Sequence, residues 1–586
     1  MSAGIARKER PPSPARERPD ATRVALFALA SVACGVVAVF LATILWLGFL
    51  QGAPGDAALA YTLRNYTDML GDSFTWKVLL NTFQFAFVTL VVAFAIALPF
   101  AFLMERTDFP GKSVVFTLMT VALLIPGFAT ALGWIFLLHQ RVGIVNKWLV
   151  ALFDLDSAPF DSASLSGMGL IEGLSLAPVA FIMTSVAVRQ MNPALEEAAA
   201  MSGATARQIA ARVTLPVMWP GLLAAAIYVA ALSFAAFDVP ATLGLSARVF
   251  TFSTYVYREV TPSEGAPAYG HVATLGVIMV ALAIALSCWY RAVQKQAPKY
   301  AVVTGKAWRP RVVPLGGAKW PAIACVALYF VVSQLLPLLT LVWASGLPFL
   351  RQPGAEAFAQ LSLAHYRNIP LDLLKTAVAN TALLMIVVPT VTLAISIAVT
   401  WVVLRSKSRF AGLFDFLAFL PVTIPHLVFS LAALLLALFV LRDILPIYGT
   451  VWILVVVYVI GRLSYGTRMT NGAFIQLHPD LEESAASCGA GTGGVLGRVV
   501  LPIVSPTLLY AWIWIALLTY RELTLPAMLS TSETMPFSVL VWGFVQASQY
   551  GPASAATLIM LGLMIPVLAL YWTLARRVGL SAAGAP

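Results

Sequence analysis

Apolar runs long enough to cross a bilayer recur along almost the whole chain, and they restrict its fold more than any other feature. A spanning helix needs about 20 apolar residues. Such runs lie near 24–50, 78–104, 113–138, 168–190, 217–245, 270–292, 319–347, 374–404, 413–440, 446–464, 503–530 and 553–575. The runs are continuous, whereas the strands of a membrane β-barrel alternate, so a barrel is excluded. Only 11% of residues are charged, against about 25% in a soluble domain. The expected class is an all-α, polytopic helical membrane protein with twelve spans.

Lysine and arginine orient these spans, because loops on the cytoplasmic side carry the excess of positive charge. With the N-terminus inside, the inner segments hold 26 of the 37 basic residues. They include Arg7 to Arg23, Arg106, Arg189, Arg291 to Lys319, Arg405, Arg462, Arg498 and Arg576. Both termini are then cytoplasmic. The net charge of +11 follows from this bias and from an anionic membrane surface. Nucleic-acid binding does not fit, because no basic patch is interleaved with aromatics. Residues 1–23, rich in Arg, Pro and Ser, are expected to be disordered. The four cysteines are scattered without a Cys-x-x-Cys pair, so neither a disulfide framework nor a metal site is implied.

One polar stretch occurs twice. Pro193 to Pro220 and Pro479 to Pro506 align without a gap at an offset of 286, with 13 of 28 positions identical. Asn380-Thr381, Arg405 and Pro425 echo Asn81-Thr82, Arg106 and Pro126 at an offset of 299. The difference of 13 residues places extra length in the first copy's outer loop, near 139–167. The chain therefore reads as a first half of six spans at 24–300, a basic linker at 301–318, and a second half of six spans at 319–586. Six spans per half make the repeat parallel, with both halves facing the same way.

Within the repeated stretch the first copy, 192–213, reads as helix–turn–helix. Asn192-Pro193 suits a helix start, and Glu196 and Glu197 lie near its positive end. Gly203 suits a left-handed stop. Thr205 and Gln208 form a capping-box pattern for a second helix. Leu215-Pro216 leads into the next span. Ala198, Ala199 and Ala200 leave one surface small enough for another protein to approach. The second copy, 478–499, keeps Glu482, Glu483, Ala485, Gly489 and Leu501-Pro502. It carries Ser484 in place of Ala198, and its four glycines at 491, 493, 494 and 497 are expected to make its second helix partly irregular. A single copy of such a stretch also fits an interfacial helix that only anchors the fold.

The pattern Glu197-Ala198-Ala199-x-x-x-Gly203 with Leu215-Pro216, and Glu483-Ser484-Ala485-x-x-x-Gly489 with Leu501-Pro502, resembles the EAA loop of binding-protein-dependent ABC importer permeases. The resemblance implies a type I importer (MetI-like) fold of two parallel six-helix halves. It implies that each loop is a coupling helix seated in a homodimeric cytoplasmic ABC ATPase. It also implies a solute-binding protein outside and a bacterial inner-membrane location. The stretches 233–244 and 520–529 are similar to fifth-span segments of the ferric-iron permease group, whose close relatives carry thiamine, polyamines or phosphonates.

No catalytic constellation is expected in this chain. Gly111-Lys112-Ser113 looks like the end of a phosphate loop, but Arg106 stands where that motif needs glycine. ATP is therefore expected on the partner subunit, and no cofactor or metal on this one. His139, His271, His365, His426 and His478 are isolated and read as polar residues near a membrane surface. Ionisable residues inside spans are costly and mark candidate function. Asp238, Arg521 and Glu522 lie in equivalent fifth spans, near Pro240 and Pro526, which should loosen their helices. Asp238, Pro240, Tyr520, Glu522 and Pro526 are the candidate translocation path, with oxygen donors that suit a hard cation. Alternatively they sit at the outer interface or pair to fix packing. Asn81 and Asn380 read as interhelical hydrogen-bonding residues. A twelve-span secondary transporter is the rival reading, but it leaves the two loops unexplained.

Overall fold

The computed structural model describes residues 20–51, 60–189, 193–262, 268–296, 312–406, 408–422 and 424–577. Apart from one pairing of Leu50–Gln51 with Ala60–Tyr61, its regular structure is helical. Span 1 is Ala21–Gly48, span 2 Ser73–Arg106, span 4 Leu165–Arg189, span 5 Leu215–Ala235 and span 6 Tyr269–Gln296. Spans 8, 10, 11 and 12 are Leu371–Leu404, Val451–Ile475, Leu501–Tyr520 and Tyr550–Arg577. Span 7 is Gly316–Gly346. The third and ninth spans are pairs, Lys112–Ala122 with Gly127–Leu138 and Ala411–Val422 with His426–Phe439, bent by 94° and 105°. Counting each pair once gives twelve. Pro126 and Pro425 stand at the bends in extended conformation, ψ 136° and 135°. A residue preceding proline is steered away from the helix, which explains the matching breaks.

Helices survive in lipid because every backbone group is paired internally, and the hydroxyls here follow the same rule. Thr43, Thr82, Thr120 and Thr184 each donate to the carbonyl four residues earlier. Close packing uses glycine. A Cβ on Gly169 or Gly173 would come within 2.7 and 2.6 Å of Val88 and Val92, so this Gly-x-x-x-Gly stretch seats span 4 against span 2.

The two repeats are not separate bodies, because each sends its first span onto the other. Span 1 packs on the second half, with Phe27 against Phe414 (5.3 Å between ring centroids) and Phe40 against Phe429 (6.3 Å). Span 7 packs on the first half: Tyr329 donates to the Leu174 carbonyl and Thr340 to that of Gly133, both at 3.1 Å. The extra length near 139–167 forms a short helix, Ile144–Phe153. Asn146 fastens it by donating to the carbonyls of Leu138 and Phe160.

Two expectations change. Residues 1–19 lie outside the described part, but Asp20 to Arg23 are ordered rather than disordered. Asp20 caps span 1, and Thr492 of the second loop fixes it by donating a backbone N–H to its Oδ2 at 2.7 Å. The tenth span lies at Val451–Ile475 rather than 446–464, which puts Arg462 inside the bundle, 4% exposed, and not in an inner loop. Of the linker, 301–311 lie outside the described residues, and Val313 pairs with Thr107.

Candidate functional site

Both copies of the repeated stretch fold alike. The first runs Pro193–Met201, Ala206–Ile209 and a π turn at Ala210–Thr214, then into span 5. The second runs Pro479–Ser487, Thr492–Val495 and a π turn at Leu496–Val500, then into span 11. Gly203 and Gly489 stand at the stop with φ of +81° and +85°, the left-handed region that glycine enters freely. Thr205 and Gln208 cap each other, with backbone-to-side-chain distances of 2.9 and 3.4 Å. Asn192 lies outside the described residues; in the second copy His478 caps, accepting from the Asp480 N–H.

The irregular second helix was expected only in the glycine-rich copy, yet both copies carry the π turn. The shared cause is Pro216 and Pro502: each lacks an N–H for the carbonyl four residues back and would clash with it. Two of the four glycines serve a different purpose. A Cβ on Gly491 or Gly493 would meet Asp20 at 3.2 Å or Thr22 at 2.7 Å. They make room for the start of span 1, where Arg23 also donates to the Thr492 hydroxyl at 2.7 Å. The backbone N–H groups of Thr22 and Thr492 hold the Asp20 carboxyl below the usual carboxylate range.

The two glutamates of each loop divide their tasks. The first is gripped from span 2 or span 8. Arg405 donates through Nε to both carboxylate oxygens of Glu482 (2.8 and 3.1 Å) and through Nη2 to the Phe474 carbonyl. Arg106 faces Glu196 at 3.8 Å and donates to the Val188 carbonyl at 3.3 Å. Thr214 also donates to Glu196, at 2.7 Å. The second glutamate, Glu197 or Glu483, is exposed, as are Ala198 and Ser484 beside it; Ala199 and Ala485 are half-buried. Leu215 and Leu501 open the long helices that follow.

Farther along, spans 5 and 11 break at equivalent points. Span 5 ends at Ala235 and Ala236 is extended, ψ 135°; span 11 ends at Tyr520. In each half a serine takes up the freed carbonyl: Ser253 donates to Ala236 and Ser538 to Glu522. Asn81 and Asn380 were expected to bond helix to helix; instead each donates to a loop carbonyl, of Phe250 or Met535, just before the short helices Phe252–Val260 and Phe537–Gln546. Pro240 and Pro526 each open a short buried turn, Pro240–Gly244 and Pro526–Met528.

The structure brings Asp238 and Glu522 into one cluster but not Tyr520, whose buried hydroxyl donates to the Met560 carbonyl in span 12. Glu522 is 9% exposed and fully engaged. Its Oε1 accepts from the Thr524 and Leu525 N–H groups, and its Oε2 from Arg462, with His426 at 3.4 Å. Asp238 is half-buried and accepts from Thr524 at 3.2 Å. Sequence reasoning left Arg462 and His426 at membrane surfaces; the structure puts both beside Glu522. Their signal was present, since an arginine in an apolar run needs a buried acid. Glu172, in the Gly169–Gly173 stretch, is a further buried carboxylate.

A twelve-span bundle with broken spans and two exposed loops, each clasped through its first glutamate by an equivalent arginine, defines a membrane transport subunit worked from one face. Residues 97–297 and 390–580 each match the family described as binding-protein-dependent transport system inner membrane component. The chain belongs to that family, as a fused double permease. It is 23% identical to the ferric transport system permease protein FbpB of Actinobacillus pleuropneumoniae, over 86% of this chain and 72% of that relative. It is 26% identical to the probable ABC transporter permease protein y4fN of Sinorhizobium fredii, over 72% of each chain. It is 25% identical to the putative 2-aminoethylphosphonate transport system permease protein PhnU of Salmonella choleraesuis, over 41% of this chain and 82% of that relative.

Proposed function

We propose that this chain forms the translocation path of an ATP-driven importer whose cargo is ferric iron, handed over by a solute-binding protein. The observation that carries the reading is the duplicated clasped loop. An arginine of span 2 or 8 grips the first glutamate and leaves the second facing outward, which suits a rigid lever pushed by a partner. The partner is a homodimeric ATPase on the cytoplasmic side, where both chain termini also lie, and ATP binds there rather than on this chain. ATP closes the dimer and draws the loops at 192–213 and 478–499 together. The two halves rock, and cargo passes between them. Asp238 and Glu522, with Pro240 and Pro526 loosening the helices beside them, line that path. Three ferric transport permeases among the relatives support iron, and oxygen donors suit a hard cation.

The phosphonate permease among the relatives supports a second cargo. Proteoliposomes carrying this chain and its ATPase, supplied with a loaded binding protein, decide between them. ATP-dependent uptake of radiolabelled ferric iron is expected. Uptake of 2-aminoethylphosphonate without iron would replace the cargo, and uptake of iron without ATP would overturn the mechanism.

A further inference from the structure

In a pseudo-twofold bundle, a residue that touches its own repeat counterpart must lie on the axis relating the halves. Two such pairs occur. Thr524 is the counterpart of Asp238 at the offset of 286, and its hydroxyl donates to Asp238 Oδ1 at 3.2 Å. Beyond the breaks the offset is 285: Phe252 and Phe537 donate N–H groups to the equivalent hydroxyls of Thr82 and Thr381, both at 2.8 Å. By that register Trp542 is the counterpart of Tyr257, and their rings meet edge to face at 5.2 Å between centroids. Phe237, next to Asp238, touches both rings, at 5.5 Å from Tyr257 and 5.9 Å from Trp542.

We infer that these two contacts are the closed gate of the path between the halves. The inference rests on the permease reading and adds where the path is shut and by what. Each contact is made by one residue from each half, and both flank the breaks of spans 5 and 11, where the helices are least rigid. Rocking the halves apart separates both pairs without disturbing the bonds inside either half.

The two acidic residues of the cluster then have different tasks. Glu522 is held within its own half by two backbone N–H groups, Arg462 and His426, so it keeps its half intact while the gate moves. Asp238 accepts one bond, and that bond crosses the axis. The repeat comparison explains the difference. His426 covers Glu522, but its counterpart in the first half is Gly127, where even a Cβ would press within 3.3 Å of Asp238. Opening therefore uncovers the Asp238 carboxylate, an oxygen donor for a passing cation. It also uncovers the Trp542 indole N–H, which is buried with no hydrogen-bond partner.

The test uses the assembled permease and ATPase in proteoliposomes, with Cys34, Cys288, Cys325 and Cys488 replaced by serine. Into this background go Asp238→Cys and Thr524→Cys together, and each alone. Oxidation of the double variant is expected to cross-link the two positions and lower the ATP hydrolysis stimulated by the loaded binding protein at least tenfold, a readout of rocking that does not need the Asp238 carboxylate. Reduction should restore the hydrolysis measured before oxidation, and the single variants should ignore the oxidant. A complete cross-link that leaves stimulated hydrolysis unchanged would overturn the gate, as would failure of the two thiols to react. As a second readout, Tyr257→Ala with Trp542→Ala should make vesicles leak small cations without ATP; vesicles as tight as those with the parent protein would count against the aromatic layer. A parent complex that imports neither iron nor phosphonate would sink the permease reading itself, whereas an active parent with an inert cross-link sinks the gate alone.

Discussion

Replacing Gly489 tests the lever at an exposed point. Gly203 and Gly489 hold φ of +81° and +85°, and a Cβ on either would meet nothing within 4 Å. Space is therefore no obstacle, and only the left-handed backbone resists a side chain. For an ordinary L-residue that resistance is about 1–2 kcal/mol. Asparagine suffers less, since it enters the left-handed region more readily than other residues, whereas a β-branched residue suffers most. An exposed loop opens at almost no free-energy cost, so the penalty falls directly on the fraction of loops in the docked form. The apparent dissociation constant for the ATPase rises as that fraction falls. At about 1.4 kcal/mol per factor of ten, Gly489→Ala should weaken ATPase binding by up to about 5–30-fold. The assay is titration of purified ATPase onto the detergent-solubilised permease, followed by ATP-driven uptake in proteoliposomes. The expected order is Gly, Asn, Ala, Val from tightest to weakest, at Gly203 as at Gly489. If Gly489→Val binds as tightly as the parent, or Asn binds worse than Val, the left-handed stop is not what the ATPase reads.

Further outcomes follow from other contacts. Arg405→Ala and Glu482→Ala, singly and together, should show a coupling of about 1 kcal/mol in thermal unfolding, as expected for a partly buried, two-oxygen pair. Glu522→Ala strands the buried Arg462 and should cost about 3–5 kcal/mol, with much of the loss recovered when Arg462→Met is added; melting temperatures in detergent report both. Gly173→Leu drives a side chain into Val92, where even a Cβ would lie at 2.6 Å. It should cost about 1–3 kcal/mol, seen as a lower yield of folded protein by size-exclusion profile. The carboxyl of Asp20 is held below its ordinary value by the Thr22 and Thr492 N–H groups. Its grip on the second loop is therefore complete above about pH 4 and is lost as pH falls through the lowered value. Proteolysis at the second loop should rise in that acid window for the parent, and already be high at neutral pH for Asp20→Ala.

Much of the fold was legible because lipid is a demanding solvent. It permits only internally bonded backbone, so long apolar runs report helices directly. The loops were legible for another reason. Capping, the left-handed glycine and the proline-led entry into the next span are local chemistry, set within a few residues. Errors arose where a local signal had a distant partner. Arg462 looked like an inner-loop charge because its acid, Glu522, lies 60 residues away. His426 looked interfacial for the same reason. Gly491 and Gly493 of the second loop looked like helix breakers, but they accommodate Asp20 and Thr22 from the far end of the chain.

By itself the sequence determined the membrane class, the duplication, the two helical loops with their left-handed stops at Gly203 and Gly489, and the acidic residues to suspect. The tertiary structure alone decided how the halves meet. It decided that each half lends its first span to the other, that Glu522 is locked while Asp238 bonds across the axis, and that Tyr520 turns away toward Met560. The reason is physical. Helix formation and capping depend on neighbours within a turn or two. The partner of a buried charge is chosen by the packing of whole helices, and no local pattern records it.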